Sequence, residues 1–433
     1  MGYLRSSLEE THFNLYAYTS KPEFEKNYKR IINSLTTDSL TLLQATNLFQ
    51  KVVTKAQTGH CEIDFPAYSY ILYAQNGGTV FPLEIALENG KAYVRKNFSG
   101  NKAIQIGTQV TSMNGQKVDK ILAQLYPHIS AERLYFKNAK LEFWSLPRLY
   151  WQVFGEQDSF EVAFLHGGKT TAHTLSAISI MDYENNRQGE ILRSARSFKF
   201  LGNTAYLHPG AFSGDPATGE ASFKHFVDSA FAAIRHQKAD VLVIDLRNNA
   251  GGHNAYSDYL ISHIATKPFK WNSSFQLKPS TLLKDQIRLQ KDTSDNYSQA
   301  ILTHATGQVF DYATESYLPA IDDKRFKGKV YVLINRQTYS MAAVTAALVQ
   351  DYQFAILVGE ETGDLPTLYA SQFSFNLPAT SVQVKVPKGY MVRPNKSQAL
   401  KGVQPDIVIK DHLLDEEDEI LNGLLSRITP SNK

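Results

Sequence analysis

Lys329 to Tyr352 reads KVYVLINRQTYSMAAVTAALVQDY: a short apolar strand, a polar turn and an alanine-rich helix. Val330 to Ile334 has the apolar and β-branched composition of a buried parallel strand. Thr338 is a candidate N-cap, and Ala342, Ala343, Ala346, Ala347, Leu348 and Val349 favour a helix starting within a residue or two of Ser340. Ser340 is thereby expected at the positive end of a helix, where unpaired N–H groups can hold developing negative charge. A hydroxyl at such a place is a candidate nucleophile; a second capping residue is the plainer alternative.

A second stretch, Ala239 to His253, reads ADVLVIDLRNNAGGH. The apolar run Val241 to Ile244 is followed by an Asn-Asn turn and then by Gly251 and Gly252. Upstream, Phe223, Phe226, Val227, Ala230, Phe231 and Ile234 recur at helical spacing, so the unit reads as α/β layering. Adjacent glycines beyond a strand let backbone N–H groups approach a ligand with no Cβ in the way. Gly251 or Gly252, with the N–H of Met341, would then form an oxyanion hole, although a glycine pair more often marks a tight turn. Asp245 and Arg247 are expected to brace this loop.

Together the stretches resemble the tail-specific, or C-terminal processing, serine peptidases, a family that includes the tricorn core domain. The resemblance rests on Asp245 to Gly252, on Ser340 to Tyr352, on Gly359-Glu360-Glu361-Thr362-Gly363, and on Gly402-Val403-Gln404-Pro405-Asp406. It implies an α/β fold with a crotonase-like (ClpP/crotonase) protease core. One branch of the family uses a Ser-Lys dyad, but Leu365 holds the place of that lysine and cannot take a proton. The tricorn-like branch takes its base from a Gly-His segment after a helix, which Thr58-Gly59-His60 matches behind Leu42 to Ala56. An imidazole suits the role because its pKa lies near neutrality. The serine that precedes that histidine in the branch is Gly59 here, and Ala399, Leu400 and Lys401 hold no orienting glutamate. The third member is left open: Glu360 and Glu361 are candidate orienting acids, with Asp364 beside them. The implied activity is hydrolysis of partly unfolded polypeptides, and the resemblance allows their selection by C-termini.

Three segments are expected. Residues 1–75 read as an N-terminal helical subdomain carrying His60, from amphipathic runs such as Phe24, Tyr28, Ile31, Ile32 and Leu35. Residues 78–178 read as β-rich, with Asn89-Gly90, Asn114-Gly115 and Gly167-Gly168 as turns. Within them Ile106 to Gly115 resembles the PDZ signature, with Thr108 in place of its aspartate. Residues 190–433 are the α/β core, with an insertion near 255–325.

Composition narrows the partners. The chain of 433 residues has a formal net charge of only +3 and no basic run, so nucleic acid is not expected. No apolar run approaches a membrane span, and no metal-ligand spacing or phosphate loop occurs, so neither cofactor nor metal is expected. The single cysteine, Cys61, reads as packing. No leader segment is visible, and the family resemblance favours an exported, periplasmic or envelope chain whose leader has been removed. Two rival readings share the core: a degenerate relative that holds a peptide or lipid in its cleft, and an acyl-CoA enzyme of the crotonase type.

Overall fold

Consecutive apolar runs joined by helical crossovers can pair only in parallel, and that constraint builds the central sheet. The computed structural model describes residues 1–188, 191–192, 195–214, 219–412 and 414–428. The sheet contains β1 (Ser197–Leu201), β2 (Thr204–His208), β3 (Val241–Asp245), β4 (Lys329–Ile334), β5 (Ile356–Gly359) and β6 (Ile407–Val408), side by side in that order. Strands β2 to β6 are parallel and β1 is antiparallel. Alternate side chains serve two cores. Leu242, Ile244, Val332 and Ile334 enter the main core, whereas Val243, Leu333 and Val358 meet Ile420 and Leu424 of the C-terminal helix.

Four helices matter for the site: α1 (Leu42–Val53), α2 (Leu134–Trp144), α3 (Asn254–Ser262) and α4 (Met341–Asp351). Helix α1 starts at a capping box formed by Thr41 and Gln44. It runs into a short 3₁₀ turn, Thr54–Ala56, closed by Gln57 in the left-handed region. Leu4, Leu8, Phe24, Val52 and Val53 pack in one cluster with Ala342 and Leu348. The N-terminal helices therefore share the core of the central sheet rather than having one of their own.

The β-rich segment is a six-stranded antiparallel sheet in which Leu83–Glu88, Lys91–Asn97, Gln109–Met113, Ser159–His166 and Lys169–Ser176 lie side by side and Gln116–Lys117 pairs with Gln109–Met113. Its hairpin turns fall on Asn89-Gly90, Asn114-Gly115 and Gly167-Gly168, and both residues of each pair have positive φ. Phe81, Val94, Val110 and Phe160 form its own core, into which Leu141 of α2 also reaches. The 255–325 region is not a free insertion. Its strand Ser274–Leu277 joins a second sheet with Leu368–Asn376 and Gln383–Val392.

At the end of β3, Arg247 forks onto Asp245, with Nε 2.9 Å from Oδ1 and Nη2 2.8 Å from Oδ2, and also reaches Asp418 ahead of the C-terminal helix. Burial alone would raise the Asp245 carboxyl; the Arg247 guanidinium and the Tyr206 hydroxyl bond hold it below its ordinary value. A group depressed in this way stabilises the fold above its unfolded pKa, and that contribution fades as pH falls through the folded value. Arg247→Met, which leaves Asp245 charged and buried, is expected to cost about 3–5 kcal/mol in denaturant titration. Adding Asp245→Asn is expected to recover part of that loss.

Candidate active site

Strand β4 ends at Ile334 and α4 begins at Met341, so residues 335–340 must turn sharply. Ser340 completes the turn at φ 52° and ψ −127°, a region that side-chain-bearing residues avoid. Its hydroxyl does not cap the helix. Thr338 is not the cap either: its Oγ1 donates to Leu246 O at 3.0 Å and accepts from Asn335 N at 3.0 Å. The strained turn is held by bonds to the loop after β3. Tyr339 N donates to Asn249 O at 3.0 Å, and Asn335 Nδ2 to Asn248 Oδ1 at 2.9 Å.

Residues beyond Gln57 carry His60 to this turn. Its Nε2 lies 3.1 Å from Ser340 Oγ, joining positions 280 apart in sequence. The imidazole is 3% exposed and stacks on Tyr339 with ring centroids 5.1 Å apart. Its backbone is fixed on several sides: Gln372 Nε2 donates to His60 O at 2.8 Å, Lys140 Nζ to Gly59 O at 2.9 Å, and Glu62 pairs with Lys385. Burial lowers the His60 pKa to about 4, opposed by the nearby Glu132 charge. The ring is therefore neutral near pH 7, as a proton acceptor must be.

Two carboxylates flank the pair. Asp364 is fully buried; its Oδ2 accepts the Ser340 N–H at 2.9 Å and lies 3.8 Å from His60 Nε2. Burial pushes its carboxyl up to about 6. Glu132, just ahead of α2, accepts the Gly59 N–H through Oε1 at 2.7 Å. Its other oxygen, Oε2, is buried without a partner among the described residues, and so is His60 Nδ1. An imidazole that accepts at Nε2 carries its hydrogen on Nδ1, so one atom wants an acceptor and the other a donor. Glu132 was not legible in the sequence, and only its placement beside Gly59 exposes it.

The expected acids Glu360 and Glu361 sit elsewhere. Glu361 pairs with Arg133 and accepts the Gly402 N–H at 2.7 Å, whereas burial pushes Glu360 up to about 7 beside the opposing Arg336 charge. Gly251 also departs from expectation, because its N–H is taken by Asn249 Oδ1 at 2.8 Å. What Gly251 supplies is clearance. A Cβ there would lie 2.5 Å from Met341 N and 2.9 Å from Ser340 Cβ. Among the described residues, the N–H groups of Gly252 and Met341 donate to nothing, and both residues line a cleft of about 1000 Å³ that also reaches Ser340. That leaves a strained hydroxyl and two free N–H donors at one cleft wall, with a neutral, buried imidazole within hydrogen-bond distance of the hydroxyl, the parts that acyl transfer requires.

The family model for Peptidase family S41 matches residues 203–409, which include β2 to β6 and Ser340. A tail-specific protease from Haemophilus influenzae is 28% identical over 210 residues, a match spanning 45% of this chain. The match spans only 25% of that relative's length. Among solved structures, mature CPAF superposes with a TM-score of 0.64 at 14% identity, covering 94% of this chain and 91% of that one. CPAF complexed with lactacystin gives 0.66 at 14% identity over 99% and 96%. These likenesses extend the shared S41 peptidase fold across nearly the whole chain. The family match and the tail-specific protease relative support a serine-type peptidase.

Two measurements probe the geometry. Histidine NMR should find His60 titrating near 4, well below its ordinary value, because burial disfavours the imidazolium. Gly251→Ala should displace the Ser340 turn in a crystal structure and cost about 1–3 kcal/mol in thermal unfolding, from contact and positive φ together.

Proposed function

We propose that this S41 family member is an endopeptidase in which Ser340 is the nucleophile, His60 the general base and Glu132 the acid that orients His60. The observation that carries the reading is the 3.1 Å approach of His60 Nε2 to a serine hydroxyl that caps nothing and sits on a strained turn. Ser340 Oγ bonds to the scissile carbonyl carbon while its proton moves to His60 Nε2. The resulting oxyanion rests on the N–H groups of Gly252 and Met341, which have no competing acceptor. Collapse breaks the C–N bond, and the leaving amine takes the proton from Nε2. Water then repeats the sequence on the acyl-enzyme, with His60 again the base.

Forming an imidazolium at a buried position needs compensation, and the Glu132 and Asp364 carboxylates lie nearest to provide it. Asp364 also fixes the Ser340 amide, so it is read as positioning the nucleophile as well. The substrate class, partly unfolded polypeptide, is the one that the resemblance to tail-specific peptidases implies, and the match to a peptidase family supports a polypeptide substrate. The β-rich unit is read as PDZ-like and as the part that presents chain ends to the cleft, in keeping with its antiparallel sheet and the Val118–Leu125 helix.

With an unstructured protein as substrate, Ser340→Ala and His60→Ala should each lower kcat by about 10⁴–10⁶, and the double variant should be little worse than either. Each should unfold at a temperature close to that of the parent. A fluorophosphonate should label the parent and not Ser340→Ala; labelling that persists in that variant removes the nucleophile assignment. The acid limb of kcat/KM should fall near pH 4 rather than near 6.5, because His60 must be neutral in the free enzyme.

A further inference from the structure

The cleft that holds Ser340 carries a further group that the proposed chemistry does not use. Asp258 lies in α3, one helical turn beyond Asn254, whose Nδ2 donates to Oδ2 at 3.0 Å. The residue is 6% exposed and lines the cleft that holds Ser340. Its second oxygen, Oδ1, is buried and has no partner among the described residues. Burial pushes the Asp258 carboxyl up to about 6, with the Asn254 bond opposing the shift. Leaving a buried carboxylate oxygen without a donor is costly, and this one belongs to a residue in the wall of the cleft, where a donor on an entering ligand would relieve that cost.

The rest of the lining says what enters. Trp271, Tyr297, Tyr312 and Tyr317 give the cleft aromatic sides, Glu315 adds a second carboxylate at an exposed position, and none of the described lining residues is a lysine or arginine. The Tyr297 hydroxyl is itself buried without a partner. Lys388, whose ammonium lies over the Tyr297 ring, does not line the cleft and gives its protons to the carbonyls of Ser371 and Gln372. Aromatic faces accommodate the methylene stem of a basic side chain and attract its charged end. We infer that the cleft selects polypeptides by a cationic side chain, lysine or arginine, whose charged group pairs with Asp258 Oδ1 between these aromatic walls. This inference rests on the peptidase reading only for the use to which the bound residue is put.

The experiment uses the full chain carrying Ser340→Ala, so that binding is read without turnover. Two unstructured peptides, acetylated and amidated so that one side chain is the only charge, differ in having lysine or norleucine at a single position. In calorimetry at pH 8, where Asp258 is ionised, the lysine peptide should bind about ten-fold or more tightly, and adding Asp258→Asn should shrink the difference to within about two-fold. Equal affinity, tighter norleucine binding, no binding of either peptide, or a lysine preference that survives Asp258→Asn overturns the assignment. If Asp258→Asn does not fold, the comparison on Ser340→Ala alone decides it. Lysine-selective binding together with no cleavage of either peptide by the parent would remove the hydrolytic reading and leave the cation site standing.

Discussion

The structure turns on one close approach: Gly251 against the turn that carries Ser340. Parallel pairing in register, with Asp245 opposite Leu333, brings the ends of β3 and β4 side by side, so the two loops that follow must occupy adjoining space. A side chain on Gly251 would overlap the Ser340 turn, and the turn itself holds Ser340 at a φ of 52°. Such strain persists only where neighbours over-determine it. Asn248 and Asn249 on one loop and Asn335, Thr338 and Tyr339 on the other supply that determination through hydrogen bonds. The glycine thus acts through absence, and the asparagines through their bonds.

Around this junction the protein has buried more charge than stability alone would favour. His60, Glu132, Asp364, Glu62 and Lys140 lie together in a region nearly closed to water. Burial drives the histidine down and both Glu132 and Asp364 up, so each resists its charged form at rest. A proton arriving on His60 is disfavoured by that burial, and the neighbouring acids are what offset its new charge. Lys140 balances Glu62 at 2.9 Å and holds the Gly59 carbonyl, so the backbone ahead of the histidine is tied to the same charge cluster.

Legibility in the sequence followed distance along the chain. The two strand-turn-helix units announce themselves locally, through apolar runs, glycines and alanines, and Ser340, Gly252 and Met341 stand where those patterns put them. His60 required a motif, since nothing in its own surroundings separates it from eleven other histidines. Asp364 was within reach because it lies 24 positions from Ser340. Glu132 was not, because it lies 73 positions from Gly59 in a segment with no pattern of its own. The role expected of the Gly251 N–H failed for a related reason. Whether an N–H is free depends on an Asn249 side chain whose rotamer no periodicity reveals.

The meeting of His60 with Ser340 across 280 positions would be a poor basis for chemistry if the N-terminal helices could drift. They cannot do so cheaply. Val52 and Val53 at the end of α1 are fully buried in the cluster that extends to Ala342 and Leu348 of α4, so lifting α1 away would expose apolar surface of that core. Gln57 then reverses the chain within one residue of left-handed backbone, and three residues later the imidazole is in place. Few soft torsions separate that packed helix from the base. Precision at the proposed site is therefore inherited from the core, which ties the first sixty residues to that site even though the matched family domain begins at residue 203.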